Sequence, residues 1–574
     1  MSNDKTHRKS FTKSLFAGRI EQSLVFPFTR LRDDKDSLKI ILNSLREFAK
    51  DNINAVEIDR TKKIPDKILK GLAELGIFGM IIPEEYGGYE FSATAYNRVF
   101  EEIAAIDASI AATFGAHQSI GLKALLLHGT EEQKKRFLPK LATGEHLAAF
   151  ALTEPGAGSD AAGIQTTAVL NTDGKFYTLN GGKIWITNGG IADIFTVFAK
   201  TKVNDEEKIS AFIVTRDMEG FSSGKEEAKL GIRGSSTTEL TFENVQVPVE
   251  NLVGPLGKGF KVAMEVLNSG RLGLAAGCIG GVKKVSGIAI DYAKKRNQFN
   301  LPIAKFEIIQ QKISDMAVDA FVGESMVYLT TGLIDRGDVD YSLESAICKI
   351  FASDAVWRAT SEAMQIAGGI GYSPEYPYER ALRDARINLI FEGTNEVLRA
   401  FVALAGMQEH GKYLQEVGKA LQHPLNRLGV LTDYALHRIK RTVTSEKLEN
   451  IHPQLESEAR RFEEYTKALN LTVEKALVRH KKDIIQKGLI LNRIADVAID
   501  LFAMAAAISR VDGLLKTDAN KCGRQLTLTR LFCKKAWRRM RRNLRQVDSN
   551  SDELCKESAH NVYETNGYTV DFLS

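Results

Sequence analysis

A glutamate beside a glycine, Glu392-Gly393, is a pair that could do chemistry. In Phe391-Glu392-Gly393-Thr394, the Glu392 carboxylate stands next to a residue that lets backbone approach a ligand closely. An isolated glutamate in a loop is ordinarily just solvated, so Glu392 needs company before it counts as a general base. A second cluster, Glu154-Pro155-Gly156-Ala157-Gly158-Ser159-Asp160, contains a Gly-x-Gly, but no Gly-x-x-Gly continuation opens a helix. Taken alone it is a tight turn of small residues and a weak dinucleotide fingerprint. The histidines form no HExxH, and Cys278, Cys348, Cys522, Cys533 and Cys555 form no CxxC, so no metal is expected. Five scattered thiols fit a reducing compartment.

The elements that must position these residues change character along the chain. From Ser37 to Gly144 the apolar spacing is helical, as in Pro65 to Leu75 and the Ala-rich Val99 to Leu127. Between Glu145 and Val253 the period approaches two, in the runs His146 to Thr153, Phe176 to Asn180, Ile194 to Lys200, Ile209 to Thr215 and Glu239 to Val247, which predicts a mostly antiparallel β domain. Helical segments near 259–298, 306–334, 341–369 and 379–408 have the number and length of a four-helix bundle. After a break at His410 to Pro424, helices are expected at Leu425 to Thr442, His452 to Lys487, Leu489 to Asp512 and Thr527 to Arg545, with an irregular C-terminal stretch of roughly 25 residues. The predicted division is an N-terminal extension (1–36), an all-α domain (37–145), a β domain (146–255), the bundle (256–410) and a further helical domain (425–574). This order is not the βαβ alternation of a nucleotide-binding sheet.

The 574 residues are 44% hydrophobic and 26% charged, the composition of an ordinary globular protein. A net charge of +5 carries no nucleic-acid signature, but it is unevenly placed. Leu431 to Ser574 hold 26 basic and 19 acidic residues, so the excess lies in the C-terminal part. No apolar run approaches the ~20 residues of a membrane helix.

Four separated segments resemble the acyl-CoA dehydrogenase family: Phe150-Ala-Leu-Thr-Glu-Pro-Gly-Ala-Gly-Ser-Asp160, Trp185-Ile-Thr-Asn-Gly189, Arg296-Asn-Gln-Phe299, and Gln365-Ile-Ala-Gly-Gly-Ile-Gly-Tyr372 followed by Phe391-Glu-Gly-Thr-Asn-Glu396. His452 to Leu455 and His480 to Met504 look like the extra domain of the very-long-chain subfamily. The resemblance implies a mostly α fold with a central β domain: an α domain, a β-barrel-like domain and a four-helix bundle, plus a C-terminal helical domain. It further implies FAD and Glu392 as the catalytic base. Glu392 would take the α-proton of a fatty acyl thioester while flavin N5 accepts the β-hydride, giving a trans-2-enoyl-CoA, with the carbonyl polarised by the Glu392 N–H and a ribityl hydroxyl. Some relatives draw the base from the helix near Arg271, but Asn268-Ser269-Gly270-Arg271 offers no carboxylate.

By the same resemblance Phe150, Leu152 and Thr153 line the flavin ring, Trp185 covers a face of it with Ile186 beside, and Thr187 addresses its reacting edge. Trp185 and Thr187 are expected to share a strand face. Ser159 touches both cofactor and substrate, and Thr394 and Glu396 hold the cofactor from the base loop. Arg296 and Gln298 look like pyrophosphate and adenine ligands, with Phe299 packed beside them. Gln365, Gly368 and Gly369 let backbone pass close to the pyrophosphate, these last groups reaching the cofactor of a neighbouring subunit, so a homo-oligomer, expected as a dimer, completes the site. Asn300 departs from the Gly that most members carry, which leaves the local turn geometry open. Asn268, Gly270, Arg271 and Gly393 join Ser159 on the substrate side.

Small residues at Gly270 and Gly115-Ala116 predict a deep apolar cavity and long-chain acyl-CoA, about 14 carbons and above, since each buried CH₂ contributes roughly 0.8 kcal/mol. An electron-transferring flavoprotein is the expected electron acceptor. The basic segment Leu531 to Arg545, with Trp537, Met540 and Leu544 as an apolar stripe, and the segment Leu425 to Val443 are candidates for peripheral contact with anionic membrane, against a solvated helix docked by Trp537. The expected location is bacterial cytoplasm, with the mitochondrial matrix or inner membrane as the alternative. Two other functions stay open on the same fold, an acyl-CoA oxidase and an assembly role for respiratory complexes.

Overall fold

The computed structural model describes residues 8–572 except 30, 32, 34, 338 and 423–445. The candidate segment Leu425 to Val443, and the helix expected there, lie outside the described residues. The chain forms two compact units, Phe26–Leu398 with the stretch up to Lys9, and Ser10–Val25 with Arg399 onward.

Two short helices, α1 (Phe11–Phe16) and α2 (Gln22–Val25), fall in the second unit. The first unit begins with α3 (Lys35–Asn52), α4 (Ala55–Thr61), α5 (Asp66–Glu74), α6 (Ala93–Ile106), α7 (Ala108–Gly115), α8 (Lys123–His128) and α9 (Glu131–Ala142). The Ala-rich stretch expected from Val99 to Leu127 is broken by one residue, Asp107. Its extended backbone (φ −154°) ends α6 by donating N–H to Ile103 O, and its carboxylate opens α7 by accepting from Ile110 N at 2.9 Å. Beyond α7 the chain widens into a π-helical turn, Ala116–Gly121.

The middle sheet contains β1 (Ala148–Ala151), β2 (Thr167–Leu170), β3 (Phe176–Thr187), β4 (Ile194–Val203), β5 (Glu206–Thr215), β6 (Phe221–Ser223), β7 (Thr237–Pro248) and β8 (Leu252–Val253). Their order is β6-β7-β3-β2-β4-β5-β8, with β1 parallel to β4 so that Phe150 faces Thr196. The five runs read from the sequence coincide with β1, β3, β4, β5 and β7. The short β2, β6 and β8 carry too little alternation to be read. Buried Leu179, Phe195, Phe212 and Phe242 of the sheet share one core with Tyr96, Phe100 and Phe114 of the helices.

Next come α10 (Gly259–Lys295), a hairpin of β9 (Asn297–Gln298) and β10 (Leu301–Pro302), α11 (Glu307–Arg336), α12 (Ser342–Ala367), α13 (Pro377–Arg386) and α14 (Asn395–Gln422). Helix α10 packs against α12, α11 and α6. By length and composition α10 and α11 could each cross a membrane, but more than half of each apolar window is buried inside the protein. The single helix expected over 379–408 is two, because Glu392 (φ 58°) and Gly393 (φ 94°) both take left-handed backbone between them. The expected break at His410 is absent: α14 continues to Gln422.

The second unit holds α1, α2, the rest of α14, α15 (Glu456–His480), α16 (Gly488–Asp518), α17 (Gly523–Asp548) and α18 (Asp552–Glu564). Phe11 stacks on Phe462 at 6.4 Å, and Asn470 donates to Phe16 O at 2.8 Å. The tail expected to be irregular contains α18. Two acidic residues open its first turn, and the Asp552 carboxylate is gripped by both Arg493 Nη atoms at 2.7 and 2.5 Å.

Candidate active site

The turn between α13 and α14 is held from two helices. Arg271 of α10 donates from Nε to Glu392 O at 3.1 Å, and Lys349 of α12 donates from Nζ to Gly393 O and to Asn395 Oδ1, each at 2.8 Å. Arg271 is oriented by Asn268 Oδ1 at 3.2 Å, while Asn268 O accepts from the Ser345 hydroxyl at 2.6 Å. Left-handed backbone at a glutamate costs on the order of 1–3 kcal/mol, and these ties keep it there.

Glu392 Oε2 is buried without a hydrogen bond among the described residues, and burial lifts the carboxyl's pKa from 4.5 to about 7, outweighing the opposing pull of Arg271 and Lys349. A carboxylate poised near neutrality with a free oxygen is suited to taking a proton from a weak acid.

Glu392 lines a largely apolar cavity together with Thr187, Ile120 and Gly270, and Gly270 and Ile120 lie beside its carboxyl. Gly115 and Ala116 also line it, as do Gly277, Gly281, Val285 and Ile288 of α10 and the charged Asp107, Lys284, Arg380 and Asp384. From residue 270 to residue 288 a helix advances about 27 Å, more than the ~15 Å that one leaflet of long acyl chains contributes to a bilayer's hydrocarbon core. Walls made of such small side chains leave room for an aliphatic chain.

The other residues singled out from sequence are distributed as follows. Phe150 and Leu152 are buried at the end of β1, where Phe150 packs on Phe198 at 4.9 Å. Lys183, fully buried, donates from Nζ to Leu152 O at 3.1 Å and pairs with Glu154 at 2.7 Å, while Ile184 N donates to Thr153 O. Ser159 is exposed in the turn that follows. Ile186 is buried, whereas Trp185 is 58% exposed on left-handed backbone (φ 60°). The β3–β7 register shifts between Lys183 and Ile186, so the plain two-residue alternation expected to put Trp185 and Thr187 on one face does not run through Trp185.

Arg296 follows α10, and Gln298, Phe299 and Asn300 form the β9–β10 hairpin tip. Phe299 (φ 52°) and Asn300 (φ 63°) make a two-residue turn of the type that needs left-handed backbone at both positions. Asparagine enters that backbone more readily than most other non-glycine residues, which accommodates the departure at Asn300. Gln365, Gly368 and Gly369 are exposed at the end of α12, and Gly368 is left-handed (φ 64°). Thr394 caps α14, its hydroxyl accepting from Val397 N at 3.3 Å, and Glu396 is exposed in the first turn. Of all these positions, Thr187, Gly270 and Glu392 meet in the cavity; the hairpin and the α12 terminus do not line it.

Sequence reasoning missed Lys349 and Asn395. A lysine inside Ala346-Ile-Cys-Lys-Ile-Phe351 was the available signal, a charge in an otherwise apolar helical run.

Comparison with known proteins accounts for most of the chain. Family models match residues 35–145 (acyl-CoA dehydrogenase, N-terminal domain), 149–245 (middle domain), 257–407 (C-terminal domain) and 453–568 (ACAD9/ACADV, C-terminal domain). The very long-chain specific acyl-CoA dehydrogenase of Rattus norvegicus mitochondria is 42% identical over 95% of this chain and 85% of its own length. A probable acyl-CoA dehydrogenase of Bacillus subtilis is 35% identical over 88% and 89%. Among solved structures, an acyl-CoA dehydrogenase complexed with FAD from Bacillus anthracis superposes with a TM-score of 0.80 at 34% identity, covering 94% of this chain and 92% of that one. With a carboxyl oxygen left unbonded among the described residues in a largely apolar cavity, and with matches along nearly its whole length, this chain belongs to the acyl-CoA dehydrogenase family.

Proposed function

We propose that this acyl-CoA dehydrogenase oxidises long-chain acyl-CoA to the trans-2-enoyl-CoA, with Glu392 as the base and an electron-transferring flavoprotein as partner. The observation that carries this reading is the free, buried Glu392 Oε2 facing a cavity walled by Gly270, Gly277 and Gly281. The length of that wall supports the long-chain preference.

FAD is the cofactor, and this chain's residues fit it. Trp185 and Phe299 hold rings 58% and 88% exposed on left-handed backbone, an arrangement that gains from a flat aromatic ligand. A Cβ at Gly368 or Gly369 would have nothing within 4 Å, so backbone there is open to a phosphate. Phe150, Leu152 and Ile186, whose side chains are buried, would contribute backbone; Trp185, Thr187, Ser159, Thr394 and Glu396 would contribute side chains. Arg296, Gln298, Phe299 and Gln365 would serve the cofactor of a second subunit, which makes a dimer the functional unit. Bound FAD supplies the hydride acceptor that no side chain offers.

The protein's own part is acid–base and positional. Arg271 and Lys349 fix the turn, Gly270 leaves space for the carboxyl, and the apolar walls exclude water so that Glu392 Oε2 takes the α-proton. Turnover across saturated acyl-CoAs of roughly four to twenty carbons, with an artificial electron acceptor, tests this reading. A kcat/KM maximum at about eight carbons or fewer would overturn the chain-length assignment, and a maximum at about 14 or more supports it.

Contact with an anionic surface is assigned to α17. Its apolar face, with Phe532, Ala536 and Met540, is used for packing, and the Trp537 ring lies under Arg461 at 4.5 Å. What remains outside is charge: Arg538, Arg541, Arg542 and Arg545 are exposed along one flank, none with a carboxylate within 4.0 Å among the described residues.

A further inference from the structure

Lys349 is fully buried on α12, and among the described residues no carboxylate lies within 4.0 Å of its ammonium. A buried cation without a salt bridge is costly and calls for a reason. Its hydrogen bonds supply one. They go to Gly393 O and Asn395 Oδ1, the residues that follow the base, and Asn395 is itself locked by Ser353 Oγ at 3.0 Å and Asp354 Oδ1 at 2.8 Å. Arg271 grips the preceding carbonyl, that of Glu392, from the opposite helix. Two cations on two helices thus hold successive carbonyls of one turn, while neither is hydrogen-bonded to the carboxylate oxygen Oε2.

We propose that Lys349 is a positioning residue of the dehydrogenation reaction, acting on Glu392 in two separable ways: its hydrogen bond fixes the left-handed turn, and its charge favours the ionised carboxylate. The inference rests on Glu392 being the base. The charged groups facing that carboxyl are Arg271 of α10 and Lys349 of α12; those facing Lys349 are Glu392, Asp354, Arg271 and the Cys278 thiol. Without its two cations the buried Glu392 would hold its proton to higher pH. The same burial depresses Lys349 itself to about 8, so its charge begins to be lost only above neutrality.

Three substitutions separate these roles in the FAD-loaded enzyme. K349Q keeps a donor for Gly393 O and removes the charge, so the acid limb of its kcat–pH profile is expected to move up by about one pH unit, with a plateau within about threefold of wild type. K349M removes both, and its plateau is expected to fall about tenfold or more even at high pH, with KM for a long-chain acyl-CoA little changed. K349R keeps the charge and should hold the limb at its wild-type position. Flavin absorbance and thermal melting are read on every variant. An unchanged limb in flavin-loaded K349Q overturns the charge effect, and a wild-type plateau in K349M overturns the hydrogen-bond effect. If all three variants lose flavin and melt early, Lys349 is a folding residue and the proposal fails. E392Q runs alongside: turnover surviving in it would sink the base assignment itself, whatever Lys349 does.

Discussion

Gly270 makes room for the Glu392 carboxyl. A Cβ at residue 270 would stand 2.8 Å from Glu392 Oε2 and 2.7 Å from Ile120 Cγ2, both closer than real side chains approach. The absence of a side chain at this position of α10 is therefore a requirement of the carboxyl on the neighbouring turn. Gly270→Ala should keep its flavin, lose about 1–3 kcal/mol of stability through overpacking, and lower kcat about tenfold as the carboxyl is displaced. Steady-state turnover together with thermal melting checks this; a normal kcat would mean that the carboxyl lies elsewhere in solution.

The pH dependence follows from the direction of the Glu392 shift. Folded, the carboxyl keeps its proton up to about pH 7, whereas unfolded it releases it near 4.5. Between these values the folded state binds more protons, so this group's contribution to stability is fully present below about 4.5 and declines as pH rises through 7. Activity runs the other way, since the base must be ionised, and kcat/KM in the free enzyme should rise through an acid limb near 7. E392Q, which cannot ionise, should abolish dehydrogenation and melt above wild type at pH 8, by up to roughly 2–3 kcal/mol, with no such advantage at pH 4.5. Equal melting differences at the two pH values would contradict the burial of this carboxyl.

The buried pair Lys183–Glu154 fixes the end of β1 by bonding Leu152 O, with Glu154 also accepting from Gln165 N and Thr166 N. Lys183→Met strands a buried carboxylate and should cost about 3–5 kcal/mol. If Leu152 and Thr153 line the flavin as proposed, the purified variant should also carry substoichiometric FAD. Denaturant melts and the ratio of flavin to protein absorbance measure the two effects.

At the hairpin tip, Asn300→Gly should leave FAD content and stability nearly unchanged, whereas Asn300→Val forces a β-branched residue into left-handed backbone and should weaken FAD retention. Flavin loss on dilution distinguishes the two. Asn300 also marks the limit of what the chain discloses by itself. The motif around Arg296 and Phe299 was legible as residue types, but the turn that makes Asn acceptable depends on the β9–β10 register. Likewise Glu392 was legible as a base candidate, while the 379–408 periodicity concealed the helix break that exposes it, because only two residues carry the left-handed turn. Lys349 was hidden for a different reason: one charge in an apolar run is a site only when two partners, 44 and 46 positions away, come back to it.

The arginine flank of α17 predicts an electrostatic contact with membranes. Arg538, Arg541, Arg542 and Arg545 present their charge with no carboxylate within 4.0 Å among the described residues, and the helix's apolar face is buried in the protein's interior. Each exposed basic residue near an anionic surface contributes on the order of 1 kcal/mol, and the attraction fades over a Debye length of ~10 Å at 0.1 M salt. The enzyme should therefore co-sediment with anionic vesicles at low salt and be released at about 0.5 M, with neutral vesicles binding little at either. Replacing all four arginines by Gln should weaken low-salt binding while leaving turnover of soluble acyl-CoA unchanged, since none of them belongs to the cavity. Salt-resistant binding would point instead to insertion of an apolar segment, and undiminished binding of the four-fold variant would remove α17 from the contact.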